Sequence, residues 1–363
     1  MKKINIFIIF ILSLTLTGCM KSLSFTSYLF PDSIGIEYKE GKYQVSTLIT
    51  NPLANVNFET SSTLFPNLLL ITATGDSINE AFQKLRVGEQ ESLSPVHLKS
   101  IVLNKSIFEE TSTTYEDILK TLIQNPNHNL KIWIYITEED IQEVYSVKSF
   151  MNSSPYFSAL NFPSYKEMSN LCYPVNLITS ANEYFSGRVT YLPMVSIEKN
   201  SIKQENVEED TLEEKRTYSF KEMCFISKKE TFTCLKENQL LGYKWLQGID
   251  DIDYNLDRLS FGVKKNKISR KYKNDKMLIS LKLSIYIYDN IDSLSKEEIV
   301  LGVENKIKEE LELLGKVSYE HQIDFFNVKD YYKRHKNRTI ELKEDTLHFE
   351  VEVDIMTQSI FDY

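Results

Sequence analysis

The thiol of Cys19 is the side chain whose neighbours point most directly to a reaction. Leu16-Thr17-Gly18-Cys19 is an apolar, small, small, cysteine run, the form of a bacterial lipobox. In that setting the sulfur takes a diacylglyceryl group, cleavage leaves Cys19 as the first residue, and an N-acyl chain such as palmitate can follow. What precedes it fits. Met1-Lys2-Lys3 and an apolar run from Ile4 to Leu16 form a positive start, a core of about a dozen apolar residues and a small-residue exit, the pattern of a secretory signal. The run falls short of the roughly 20 apolar residues of a membrane span. The competing reading is a plain secreted chain in which a cysteine stands here by chance. Two acyl chains anchor stably where one is marginal. The mature chain is therefore expected on the outer face of a membrane, tethered at its N-terminus through Cys19.

The other chemistry-bearing residues assemble nothing comparable. His97, His128, His321, His335 and His348 fall in neither an H-E-x-x-H nor an H-x₃₋₅-H arrangement, and no cysteine pair has zinc spacing. The sequence has no G-x-S-x-G elbow, P-loop or G-x-G-x-x-G. Glu208-Glu209 sit in a polar stretch and read as a solvated face. Asp250-Asp251 and Asp253 lack the later glutamate of an EF-hand loop and read the same way. Tyr331-Tyr332 beside Lys333, Arg334, His335 and Lys336 read as a helix end with cations at its negative pole rather than a recognition patch. Trp133 and Trp245 have apolar neighbours and are expected in cores. No catalytic residue, metal ligand or cofactor site is assigned, and the expectation is a non-enzymatic protein. Cys224 and Cys234 flank the turn-like Ser227-Lys228-Lys229-Glu230, so a hairpin there would oppose them. Buried free thiols are the favoured state, with a cross-strand bridge as the alternative that export permits. Cys172 has no evident partner.

Composition narrows the class. The full chain carries 42 basic and 51 acidic side chains; removal of residues 1–18 takes two lysines and leaves −11. Such a chain is a poor candidate for nucleic acid. The 42% hydrophobic and 12% aromatic content suits folded domains rather than disorder.

The elements that must position these residues alternate between strands and helices. Ser33–Tyr38 and Tyr43–Ile49 read as a hairpin turned at Gly41, followed by a strand at Leu68–Thr74 and a helix opened by the capping box Ser77-Ile78-Asn79-Glu80. Strands are expected at His97–Asn104 and Leu130–Ile136, and helices at Tyr115–Gln124, Thr137–Lys148 and Val175–Asn182. Further strands are expected at Gly187–Val195, Tyr218–Ser227, Thr231–Leu235, Arg258–Val263, Lys276–Tyr288 and Leu347–Ile355, with helices at Glu237–Tyr243 and Asp324–Arg334. Ser295-Lys296-Glu297-Glu298 opens the longest helix, to Leu314, with Ile299, Val303, Ile307, Leu311 and Leu314 inward, Lys306, Lys308, Glu309 and Glu310 in water, and Gly315 as C-cap. The fold class is α+β, several small mixed-sheet domains with packed helices, in series after the tether. The expected division is a signal peptide at 1–18, a lipidated tether at 19–30, a first domain at 31–150, a second at 151–198, an acidic linker at 199–217 and a C-terminal domain at 218–363.

In this order the segments resemble the Ger(x)C, or GerAC, family, the lipoprotein C subunits of spore germinant receptors. Ser33-Ile34-Gly35-Ile36-Glu37-Tyr38 with Gly41-Lys42-Tyr43-Gln44-Val45 looks like that family's opening hairpin, and His97–Leu103 like its "GH.K.I.I" strand. Asn125-Pro126 leading into Leu130–Ile134, Gly187-Arg188 to Leu192-Pro193, Leu240-Leu241-Gly242-Tyr243 to Trp245-Leu246-Gln247-Gly248, and Asp324-Phe325-Phe326 fit the rest of the pattern. The departures are Met20-Lys21 where many members carry Trp-Asp, Glu37 for the common Asp, and Ser94-Pro95-Val96 without the usual glycine before His97. The resemblance implies three α/β domains, a place on the outer leaflet of the inner spore membrane, and partnership with the membrane A and B subunits of a receptor for nutrients. The rival expectation is an extracytoplasmic solute-binding lipoprotein of a transporter, and the last-ranked one is a cell-envelope enzyme.

Overall fold

The computed structural model describes residues 28–50, 68–87, 92–124, 130–147, 158–163, 172–199, 204–205, 212–213, 216–228, 232–248, 252–256, 259–273, 276–290 and 293–356. The chain opens with the hairpin of β1 (Pro31–Lys39) and β2 (Lys42–Thr50). Glu40 and Gly41 turn it with φ of 54° and 78°, the two positive dihedrals a tight type I′ turn requires. β3 (Leu68–Gly75) pairs antiparallel with β2 and leads into α1 (Ile78–Val87). Ser77 caps Glu80 N–H at 3.2 Å, but the Glu80 carboxylate reaches back to Asp76 N–H, so the expected capping box is only half made. β4 (Ser100–Asn104) is buried along its whole length. The one-turn α2 (Ser106–Glu109) and α3 (Tyr115–Ile123) follow, the latter opened by a reciprocal Thr114–Asp117 capping box. β5 (Trp133–Thr137), α4 (Ile141–Ser146), α5 (Leu177–Phe185), β6 (Thr190–Lys199), β7 (Arg216–Ile226) and β8 (Phe232–Leu235) complete the first sheet.

That sheet has eight strands in the order β8-β7-β6-β5-β4-β1-β2-β3. Its centre, β1, β4, β5 and β6, is parallel, and antiparallel strands close both flanks. Parallel strands are covered on both faces by their crossovers. Here Ile34, Ile36, Ile101, Leu103, Ile134 and Ile136 meet α1, α3 and α5 on one face, while Val102 and Tyr135 meet α4 and the C-terminal half on the other.

The remainder forms a second sheet. After α6 (Glu237–Leu246), β9 (Ile252–Leu256), β10 (Leu259–Lys273) and β11 (Lys276–Asn290) run antiparallel. The 25-residue α7 (Lys296–Glu320) and α8 (Val328–Lys336) then cross over to β12 (Leu347–Ile355), which pairs parallel to β11. On β11 the inward Met277, Ile279, Leu281, Leu283 and Ile285 are buried and alternate with exposed or half-buried residues, the signature of a sheet with one wet face.

The chain is thus α+β, with two mixed sheets and packed helices. Several expectations differ from what is observed. The divisions at 151 and 218 do not divide the first sheet, because β7 and β8, assigned to the C-terminal domain, hydrogen-bond onto β6. A pair of two-residue strands, Gln204–Glu205 and Leu212–Glu213, lies within the stretch read as linker. β10 runs ten residues past Val263, since pairing with β11 holds its lysine-rich second half extended despite weak strand propensity. Gly315 lies inside α7 rather than capping it: the helix continues to Glu320, and a Cβ at Gly315 would stand 3.4 Å from the Phe349 ring. Cys224 and Cys234, favoured as free thiols, form a disulfide; the β7–β8 register sets them directly opposite.

Candidate functional site

Cys19 lies outside the described residues, so the structure bears on it only through the point at which the chain enters the fold. Tyr28–Leu29 pairs parallel with Ser92–Leu93, Ser94 N–H donates to Leu29 O at 2.9 Å, and the Phe30 ring meets His97 edge-on at 4.8 Å. Lys99 N–H then donates to Asp32 O at 2.9 Å. Whatever precedes Tyr28 therefore arrives at the N-terminal end of the four parallel strands. A buried hydroxyl cluster fixes that end. The Ser33 hydroxyl lies 2.5 Å from that of Ser100, which donates to Asn161 Oδ1 at 2.7 Å, and Tyr135 OH donates to Leu160 O at 3.0 Å. Together they dock the segment 158–163 across β1 and β4.

The opposite end, where open α/β sheets usually hold ligands, is laced shut. Lys39 and Asp140 pair at 2.5 Å between β1 and the N-terminus of α4. Lys105 bridges Glu138 at 2.8 Å and Glu109 at 3.0 Å. The Asn104 amide donates to Glu139 O and accepts from Ser106 N–H, both at 2.8 Å. Glu37 is buried and accepts from the Gln44 amide at 2.6 Å; burial, then the Asp140 charge, raises its carboxyl above the ordinary range.

The densest buried charge lies between α6, α7 and the second sheet. Glu310, expected in water, is 4% exposed, because it sits one turn beyond Ile307 on the stripe that faces α6. Its carboxylate accepts from Trp245 Nε1 at 2.7 Å and from the Tyr254 hydroxyl. Burial raises its carboxyl. Lys244 is equally buried, its ammonium 5.8 Å from the Tyr254 ring, and burial draws it down to about 8 against the pull of Glu310 and Asp253. Asn266 Nδ2 donates to Trp245 O at 3.0 Å. The helices touch because residue 242 is glycine: a Cβ there would stand 2.3 Å from Glu310 O. Charge-assisted bonds of this kind fix geometry. Here they clamp α6 to α7 and the second sheet. The apolar stripe on α7 was the only sequence signal for this cluster, and it left the side of Glu310 undecided.

The remaining candidates are accounted for one by one. Tyr331 stacks on Tyr272 at 3.4 Å and Tyr332 is buried, so the pair packs α8 onto β10 while Lys333, Arg334, His335 and Lys336 face water. Trp245 is core and Trp133 half-buried against it. Cys172 is buried with its thiol directed at Glu222 O, and burial pushes it up. Asp253 accepts from Tyr288 OH at 2.5 Å. His128, Glu208, Glu209, Asp250 and Asp251 lie outside the described residues. Among the described residues no group of His, Cys, Asp and Glu could hold a metal ion, and no helix is long and apolar enough to cross a membrane.

Comparison with known proteins gives the class. Residues 26–197, which hold the parallel core and its N-terminal entry, match the model of the spore germination protein N-terminal domain. Through that region the chain is similar to spore germination proteins of the Ger(x)C family. Among solved structures it is similar to the crystal structure of the GerBC protein, at 12% identity and a TM-score of 0.47 over 89% of this chain and 97% of that one. No curated protein sequence matches it.

Proposed function

We propose that this protein is a non-catalytic lipoprotein subunit of a spore nutrient germinant receptor, the C subunit, anchored through acylated Cys19 to the outer leaflet of the inner spore membrane. It docks there on the membrane-embedded A and B subunits and helps pass nutrient binding on to ion and dipicolinate release. The observation that carries this reading is the match of residues 26–197 to the spore germination domain, and the lipobox ending at Cys19 gives it an anchor. Non-catalytic work suits a body whose buried charges are spent on holding helices to sheets.

Spores carrying Cys19→Ala test it. The expected outcome is a body released from the membrane fraction and a large loss of germination response to nutrients, with response to agents that bypass the receptor unchanged. Release from the membrane with a normal response to every nutrient overturns the reading.

A further inference from the structure

If the anchor is at Cys19, the body cannot stand far from the bilayer. From Cys19 to Tyr28 the chain spans roughly 30 Å when fully extended. It enters at the N-terminal end of the parallel strands. Four exposed apolar side chains gather there: Leu69 at 36%, Val96 at 59%, Phe162 at 47% and Ile178 at 37% exposure. The register places them. Leu69 opposes Ile49, which opposes Pro31 at the start of β1. Val96 sits in the turn Pro95–His97 against which Phe30 packs. Phe162 follows Asn161, held to Ser33 and Ser100. Ile178 N–H donates to Leu130 O just ahead of β5. Lys99 stands 6.0 Å over the Phe162 ring, and Lys131 is exposed beside the start of β5.

We propose that this end is a membrane-seating face: the apolar tips enter the headgroup–acyl boundary and the two lysines meet anionic headgroups, so that the acyl anchor fixes not only the location of the body but its orientation. Apolar side chains fringed by lysine are what an interfacial surface requires, and grouped exposed apolar residues mark interaction sites where single ones do not. The occupant is the bilayer because the chain leading to Cys19 enters on this same face. The ion-paired end of the strands, with Lys39–Asp140 and Lys105–Glu138, then points away from the lipid.

The proposal rests on the lipoprotein reading, and its test separates the two. Val96→Cys, Phe162→Cys and, as a control on the distant α7, Leu301→Cys are each labelled with an environment-sensitive fluorophore in the intact lipidated chain. The chain is bound to vesicles of phosphatidylcholine and phosphatidylglycerol that carry a lipid-borne quencher at shallow depth. A parallel set uses residues 20–363 held to nickel-chelating lipid by an N-terminal histidine tag. The expected result is several-fold stronger quenching at 96 and 162 than at 301 in both formats. Equal quenching at all three positions in vesicle-bound protein overturns the seating face and leaves the anchor standing. Quenching at 96 and 162 only in the tag-tethered format, with no vesicle binding by the cell-derived chain, overturns the anchor and leaves the face standing.

Discussion

Two buried polar clusters hold the two sheets, and they are made of different chemistry. At the N-terminal end of the first sheet, Ser33, Ser100 and Asn161 join β1 and β4 to the segment 158–163 through neutral groups alone. Around the second sheet, Glu310 and Lys244 bring opposite formal charges into the joint between α6 and α7 and rely on Trp245 and Tyr254 to satisfy them. A neutral hydroxyl cluster costs little to desolvate and does not sense pH. A charged one is expensive to bury and more expensive to break, because removing one member strands the others. Stability and its pH dependence should therefore separate along the chain, with the second sheet answering to both.

The largest break in that contrast is Glu310→Ala. It leaves the Trp245 indole N–H and the Tyr254 hydroxyl buried without their acceptor, and the buried Lys244 ammonium without the nearby carboxylate charge. The expected loss is about 3–5 kcal/mol in equilibrium denaturation, with Glu310→Gln losing less because the amide oxygen still accepts one donor. A cost no greater than that of an exposed substitution would dissolve the distinction between the clusters.

The pH dependence sharpens it. Lys244 is drawn down to about 8 in the folded chain from 10.5. Between those values the unfolded chain binds more protons than the folded one, so stability rises with pH. Over pH 8 to 9, below the range in which the tyrosines of the unfolded chain ionise appreciably, the gain is about 1 kcal/mol. Glu310 has the opposite sign: its raised carboxyl stabilises the fold most below 4.5 and that contribution is lost as pH rises through its folded value. Chemical denaturation of wild type and Lys244→Met across alkaline pH checks the first claim. The wild-type curve should rise relative to that of the variant between pH 8 and 9, and parallel curves would place the titrating group elsewhere.

The sequence carried the elements better than it carried these joints, for a physical reason. Hairpins, capping boxes and amphipathic stripes are local: Glu40-Gly41 turns β1 into β2, Ser295 and Glu298 open α7, and Leu347–Ile355 alternates as it pairs. What escaped is set by partners distant in the chain. Glu310 is buried because Gly242, 68 positions earlier, lets α6 approach it, and no pattern within α7 reports that. The expected strand at Arg258–Val263 stops short of Lys264 to Lys273, yet that run is strand because β11 lies alongside. The β7–β8 hairpin reads as the start of a new domain because the acidic stretch precedes it, whereas its edge belongs to β6. The proposed lipobox ending at Cys19 is a contiguous run that sequence alone can offer, while the proposed seating face draws Leu69, Val96, Phe162 and Ile178 from separate segments.

The neutral cluster sets the smallest and most discriminating expectation. Ser100→Ala removes the hydroxyl that lies 2.5 Å from that of Ser33 and donates to Asn161 Oδ1, all within a buried site. One buried hydrogen-bonded hydroxyl is worth about 1–2 kcal/mol, well below the expected cost at Glu310. Since no member of the cluster titrates, the loss should be the same at about pH 6 and about pH 9, whereas the Lys244 contribution should differ between them. The segment 158–163 should also loosen, because Asn161 Oδ1 then loses the shorter of its two serine hydrogen bonds, 2.7 Å from Ser100 against 3.1 Å from Ser33, and amide exchange should quicken there before it does in β4. A loss at Ser100 that varied with pH would mean that the two sheets are coupled through their shared core, in which Val102 and Tyr135 of the first belong to the same apolar cluster as Trp245 and Leu311 of the second.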